Sequence, residues 1–264
     1  MTSFTKVEGL GNDFLLIDHR NQPGRIAELQ ARAPALCHRR TGVGADGLLV
    51  LTAPTSPTAR ATMIVINHDG SRPEMCGNGL RCVALFLADA PGPLLVDTDA
   101  GARTCHVAPL AADRSHGEIE VDMGVALLQG PRTVGDHTFT AISIGNPHAI
   151  AFVGPGEDPE RLARQFGPVV ERDPQFPART NVEFARREPD GSLTLWVWER
   201  GCGITAACGT GACATVAAAV HHGLVAEDTP IAVQLPGGRL SVRWHDGRVW
   251  MTGPARLVYR GALV

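Results

Sequence analysis

The sequence predicts an α/β protein, of the α+β kind, built as two pseudo-symmetric domains. Two observations carry this expectation. The chain has 264 residues, and at roughly 150 residues per domain that is just under two domains. Two landmarks then recur together: Leu10-Gly11-Asn12 returns as Ile144-Gly145-Asn146, and Cys76-Gly77-Asn78-Gly79 as Cys208-Gly209-Thr210-Gly211. Asn12 and Cys76 are 64 positions apart, and Asn146 and Cys208 are 62 apart. One C-G-x-G match means little among 30 glycines, but the paired spacing points to duplicated halves.

The elements follow from periodicity and punctuation. Segment 4–18 reads as strand, tight Gly-Asn turn and strand. Residues 25–40 carry Ile26, Leu29, Ala33 and Leu36 near helical spacing, with Pro34 expected to kink or shorten the helix. Strands are expected at 48–52 and 62–67, and a helix over 79–90 stopped by Pro91. Short strands follow from 94 to about 153, including 117–123, 137–144 and 148–153. A short helix is expected at 158–166, then a Pro-rich loop over 168–180 and strands at 181–186 and 192–199. Residues 209–222 form a second glycine-led helix, ended by Gly223. The tail holds a hairpin at Pro236-Gly237-Gly238 and separate strands around 248–252 and 256–259.

Composition narrows the chemistry. Hydrophobic residues make up 44% and charged residues 19%, which suits a globular protein with a large core. Apolar runs such as 214–220 fall well short of the ~20 residues of a membrane span. No basic segment followed by an apolar stretch opens the chain, so a cytoplasmic location is expected. The net charge of -3 and the lack of a basic block argue against a nucleic-acid partner. A single lysine, Lys6, sits near what reads as an unanchored terminus, which argues against a pyridoxal-phosphate Schiff base. Seven cysteines, an odd number, point to reduced thiols. Gly42-Val43-Gly44-Ala45-Asp46-Gly47 matches G-x-G-x-x-G, but a helix precedes it and a strand follows, the reverse of a dinucleotide site.

Each C-G-x-G sets a thiol where the chain turns into a helix. A helix start offers N–H donors without intrahelical partners and a partial positive charge. A carboxylate can sit there, and a thiol there is expected to have its pKa drawn below ~8.5. Two such thiols, one as thiolate and one as thiol, suit inversion of a carbon beside a carboxylate. Cys37, Cys82, Cys105 and Cys213 read instead as buried small apolar residues. The spacings between cysteines, without a C-x-x-C, do not suit zinc.

Over nearly its whole length the chain resembles the diaminopimelate epimerase family of PLP-independent amino-acid epimerases. The resemblance rests on EGLGNDF at 8–14, INHDGSRPEMCGNGLRC at 66–82, GNPH at 145–148 and RTNVEF at 179–184. It also rests on WERGCGITAACGTGACA at 198–214, LPGGRL at 235–240 and MTGPA at 251–255. It implies two similar domains, each a mixed, mostly antiparallel sheet curled around a central helix, with the site in the cleft between them. The boundaries would be 1–115 plus a C-terminal strand about 254–264 for the Cys76 domain, and 116–253 for the Cys208 domain. By the same resemblance, Cys76 and Cys208 are the catalytic acid/base pair. Gly77, Asn78, Gly209 and Thr210 would present N–H groups to the reacting carboxylate. Asn12, Asn67, Asn146, Asn181, Glu199 and Arg200 would hold the rest of the substrate, and His148 would assist near the reacting amino group.

The implied reaction is epimerisation of LL-diaminopimelate to the meso form, in lysine biosynthesis, by a homodimer without metal, PLP or nucleotide. The alternative is another racemase or epimerase of this fold, acting on histidine or a hydroxyproline. Three positions depart from the family. Gly47 stands where Gln is frequent, Ile204 where Glu is common, and Cys202 where Ala or Val is usual.

Overall fold

The computed structural model describes residues 2–22, 24–110 and 112–263. Its contacts divide the chain into two compact units. One takes the chain up to Val121 together with the last segment from Gly253, and the other is Asp122–Thr252.

The first unit runs β1 (Thr2–Gly9), β2 (Asn12–Asp18), α1 (Ile26–Cys37), β3 (Gly47–Thr52), β4 (Thr62–Asn67), α2 (Gly77–Leu87), β5 (Gly92–Thr98), β6 (Arg103–Val107) and β7 (His116–Val125). Strands neighbour each other in that order. The pairs β2–β3 and β4–β5 are parallel, while β1–β2, β3–β4, β5–β6 and β6–β7 are antiparallel. β2 and β3 read as unbroken apolar runs because both of their faces are covered. Leu15, Ile17, Leu48, Val50, Ile64 and Ile66 pack with Leu29, Ala33 and Leu36 of α1. Leu49 points the other way, against Gly79 of α2. α2 is buried at ten of its eleven positions, so it is a central helix and not an amphipathic surface one.

The second unit repeats this plan: β8 (Leu127–Val134), β9 (His137–Ser143), β10 (Pro147–Val153), α3 (Pro159–Val170), β11 (Asn181–Arg187), β12 (Leu193–Glu199), β13 (Gly203–Ile204), α4 (Gly209–His221), β14 (Ile231–Leu235) and β15 (Gly238–His245), together with the end of β7 from Asp122 and the start of β16 (Arg248–Leu263) up to Thr252. Here β10–β11 and β12–β14 are the parallel pairs. Phe139, Ala149, Ala151, Val182 and Phe184 pack against Leu162, Ala163 and Val170 of α3. α4 is buried along almost its entire length, like α2.

Four expectations change. α1 covers Ile26–Cys37 in place of 25–40: it continues through the exposed Pro34 and stops three residues short of its expected end. α3 runs four residues past its expected end, through Pro168, because Val170 completes the stripe begun by Leu162 and Ala163. Gly167 lets that last turn approach β12, since a Cβ there would lie 2.4 Å from Trp198 Cβ. The two expected tail strands are one, β16, whose early residues pair with β15 and whose later residues pair with β1. Pro254 does not interrupt it, because it falls between the two ladders: pairing with β15 ends at Thr252 and pairing with β1 begins at Arg256, so no ladder bond needs its missing N–H.

The fourth change concerns Lys6. It is not near a loose end: β1 is flanked by β2 and β16, and the buried ammonium binds Asp13 and the Gly44 carbonyl.

All seven cysteines are unbridged. Burial pushes the Cys37 thiol up to about 11 and the Cys82 thiol up to about 12. In the unfolded chain both would titrate near ~8.5, so above that pH the native state holds more protons and stability falls as pH rises. The chain has one tyrosine and one lysine, so the other groups titrating there are chiefly the remaining five cysteines, of which Cys208 is likewise pushed up. The thermal midpoint is therefore expected to decline from about pH 8.5 upward. A midpoint level from there to about pH 11 in a thermal melt series would contradict this.

Candidate active site

Both cysteine-led helices start the same way. Cys76 is the N-cap of α2 in extended conformation, and its Sγ accepts from the Gly79 N–H at 3.4 Å. Cys208 caps α4 identically, accepting from the Gly211 N–H at 3.4 Å. The thiol takes the role a serine or aspartate oxygen has in ordinary caps. Gly77 and Asn78, and Gly209 and Thr210, are the first helical residues, whose N–H groups have no intrahelical carbonyl to reach.

In the first unit the Leu10-Gly11 turn, with both residues at positive φ, delivers Asn12 to the start of α2. Asn12 Oδ1 accepts from Asn78 Nδ2 at 3.1 Å and lies 4.0 Å from Cys76 Sγ. Its Nδ2 donates to Asp46 at 2.8 Å, which fixes the amide's orientation. Arg39 in turn bridges Asp46 and Asp13. The Arg39 and Lys6 hydrogen bonds together outweigh burial, the largest single effect, and hold the Asp13 carboxyl below its usual range. Asn67 ends β4, where its amide donates to Ser71 Oγ at 2.9 Å and not to the Asn12–Asn78 pair.

Gly47 lies opposite Asn67, and a Cβ there would lie 2.5 Å from the Ile66 carbonyl oxygen. A glutamine cannot enter this backbone without moving the strand pair.

The second unit gathers more polar groups. Asn146 Nδ2 donates to Thr210 Oγ1 at 3.2 Å, and Thr210 Oγ1 lies 3.6 Å from Cys208 Sγ. His148 is buried, with Nε2 at 3.0 Å from Asn146 Oδ1 and Nδ1 at 2.6 Å from Glu183 Oε1. Glu199 accepts from the Thr205 hydroxyl, and its charge acts on the Cys208 thiol. Burial pushes the carboxyls of both Glu199 and Glu183 up.

Asn181 is used by the backbone: its Oδ1 accepts from the Arg200 N–H at 3.0 Å and its Nδ2 donates to the Pro147 carbonyl at 2.8 Å. The Arg200 side chain is exposed and donates to the Ala178 carbonyl. Ile204 packs with the α3 apolar cluster, and Cys202 is exposed in the turn before it.

One expectation is overturned at Cys208. Its thiol is pushed up, not drawn toward neutrality, first by burial and then by the charges of Glu199 and Glu183. The Thr210 hydroxyl and Gly211 N–H pull the other way but do not win. Burial can shift a group by ~3–5 pKa units, whereas a helix-terminus contact is worth ~0.3–1 kcal/mol, less than one unit. Cys208 therefore rests as a thiol.

Glu183 is the residue the motif reading passed over. Its signal was a carboxylate inside the apolar stretch Val182-Glu183-Phe184-Ala185, where a solvated charge has no place.

The sequence model of the diaminopimelate epimerase family matches residues 4–128 and 140–258. A diaminopimelate epimerase of Desulfitobacterium hafniense is 44% identical, with 98% of this chain and 97% of the relative covered. One of a Synechococcus species is likewise 44% identical over 98% and 97%. Among solved structures, a probable proline racemase of Agrobacterium radiobacter matches with TM-score 0.76 at 15% identity, covering 100% of this chain and 93% of its own. A hydroxyproline epimerase of Agrobacterium vitis matches with TM-score 0.73 at 16% identity, covering 99% and 90%. At such identities these two neighbours bear on the fold alone.

Proposed function

Because the chain belongs to the diaminopimelate epimerase family, and is thus an isomerase, we propose that it converts LL-diaminopimelate to the meso form with Cys76 and Cys208 as its acid/base pair. The observation that carries this reading is the identical seating of the two thiols. Each is a helix N-cap held by the N–H three residues on, in two units that repeat the same strand plan.

One thiolate removes the α-proton, and the electron pair is left on the carbon beside the carboxylate. The other thiol then delivers its proton to the opposite face. The two thiols end with their protonation exchanged, which is the state that runs the reverse reaction. Negative charge spreading onto the carboxylate is met by the N–H groups of Gly77, Asn78, Gly209 and Thr210. Donors aimed at developing charge contribute roughly 3–4 kcal/mol each in a dry site. Asn12, Asn67, Asn146, Asn181, Glu199 and Arg200 hold the amino and carboxylate groups of the substrate, with His148 near the reacting amine. Asn181 and Arg200 would have to exchange backbone bonds for substrate to do so.

No described helix is long and apolar enough to cross a membrane. A cytoplasmic homodimer belongs to the same reading.

The test is deuterium incorporation at the α-carbon of LL-diaminopimelate in D2O, with reduced protein and no added cofactor. Appearance of the meso isomer carrying solvent deuterium is expected. Exchange of histidine or hydroxyproline instead, with diaminopimelate inert, would reject the substrate while keeping the chemistry.

A further inference from the structure

Strand register puts the two units in residue-by-residue correspondence. Phe14 lies opposite Gly47 in the parallel pair β2–β3, and His148 lies opposite Asn181 in β10–β11. Two positions further along, Leu49 corresponds to Glu183. The helix starts agree: a Cβ at Gly79 would meet Leu49 Cδ2 at 2.7 Å and Cys76 Sγ at 3.5 Å. A Cβ at Gly211 would meet Glu183 Oε1 at 3.0 Å and Cys208 Sγ at 3.2 Å. Behind the first thiol's helix the chain thus has a leucine methyl, and behind the second's a carboxylate. All four residues of the two pairs are buried: Phe14 and Leu49 in one unit, His148 and Glu183 in the other.

We propose that Glu183 is a positioning residue of the second half-site, acting on Cys208 through a buried pair with His148 that the first unit lacks, so that the two thiols are chemically unlike. This rests on the reading of Cys208 as an acid/base group.

The geometry is specific. Both Glu183 oxygens are used, Oε1 by His148 Nδ1 and Oε2 by the Ala149 N–H at 3.2 Å, so the imidazole plane is held from behind. Asn146 Nδ2 is committed to Thr210, so its Oδ1 faces His148 Nε2 and that nitrogen carries a proton. The chain of bonds runs from Glu183 through His148 and Asn146 to Thr210, beside Cys208 Sγ.

Stability does not account for it. A buried carboxylate is expensive even when paired, and an apolar pair of similar shape does as well or better. The first unit has that apolar pair at the corresponding positions. The other groups facing this corner are the Glu199 carboxylate on β12 and the hydroxyls of Thr205 and Thr210. Burial and the two carboxylates together keep Cys208 protonated.

The test uses the substrate-free chain and iodoacetamide, with peptide mapping by mass spectrometry across a pH series. Glu183→Gln keeps a hydrogen-bonding group at each position and removes the charge. Its Cys208 alkylation profile is expected to move to lower pH, with labelling at about pH 8 rising about tenfold. Cys213, fully buried in the same helix, should stay unlabelled and so exclude simple opening of α4. The double variant His148→Phe/Glu183→Leu copies the first unit's pair and should shift Cys208 in the same direction. It carries the test if the single variant is unstable. An unshifted Cys208 profile in a folded variant, or Cys208 labelling that rises only in step with Cys213, overturns the proposal. No substrate is involved, so failure of the epimerase reading would show separately, as absent deuterium exchange in the unaltered enzyme.

Discussion

Cys208→Ala is expected to lower epimerisation of LL-diaminopimelate by about 10³-fold or more, and Cys76→Ala by a similar factor. A positioned acid or base contributes roughly 10²–10⁴-fold, and inversion needs one on each face of the α-carbon. The two losses should differ in kind. With one thiol left, a proton can leave and return on one face only. Each variant should therefore exchange deuterium into at most one of the two isomers, and the two variants should favour opposite isomers.

Folding does not confuse the comparison. Losing the thiol removes one cap interaction, worth ~1 kcal/mol. Circular dichroism would verify that the variants are folded, and NMR would follow deuterium in each isomer separately. Epimerisation that survives in the double alanine variant would sink the two-thiol mechanism.

Phe184→Ala is expected to destabilise the protein by about 4 kcal/mol, within the range of ~3–5 for emptying a buried phenylalanine site. Phe184 is fully buried on β11, with ring centroids 5.6 Å from Phe139, 5.5 Å from His137 and 6.4 Å from Phe166. Three rings and α3 surround it, so the cavity cannot collapse without moving several elements. The strand alternates, and its next residue back is Glu183, so loosening β11 also disturbs the carboxylate behind Cys208. Urea denaturation measures the effect directly. A loss below ~1 kcal/mol would mean that the cluster repacks easily and does not hold the strand in place.

Much of the fold could be read from the residues because it rests on local signals. Positive φ at the Leu10-Gly11 turn, the apolar runs of β2 and β3, and the glycine-led starts of α2 and α4 are each written into a few adjacent positions. The repeated Gly-Asn and Cys-Gly landmarks revealed the doubled plan, since duplicated units need the same turns at the same intervals. Where local signals misled, a long-range contact had overridden them. Pro168 continues a helix because Val170 is wanted in the α3 cluster, and β16 stays whole because it has two different partners. Lys6 is anchored by Asp13 and Gly44, neither of which is near it in sequence.

The site divides in the same way. Residue types and spacing were enough to set Cys76 and Cys208 at two helix starts, whereas the polar residues proposed around them came from the family resemblance. The protonation of Cys208 depends instead on how deeply the fold buries it and on which carboxylates arrive beside it. Glu183 is 25 positions from Cys208 along the chain, and reaches the helix start only because β11 packs beneath α4 with a glycine at 211. Caps and turns are set by neighbours in sequence, so a linear reading finds them. Desolvation and Coulomb interactions depend on distance in space, and the packed sheet alone decides which charges come close.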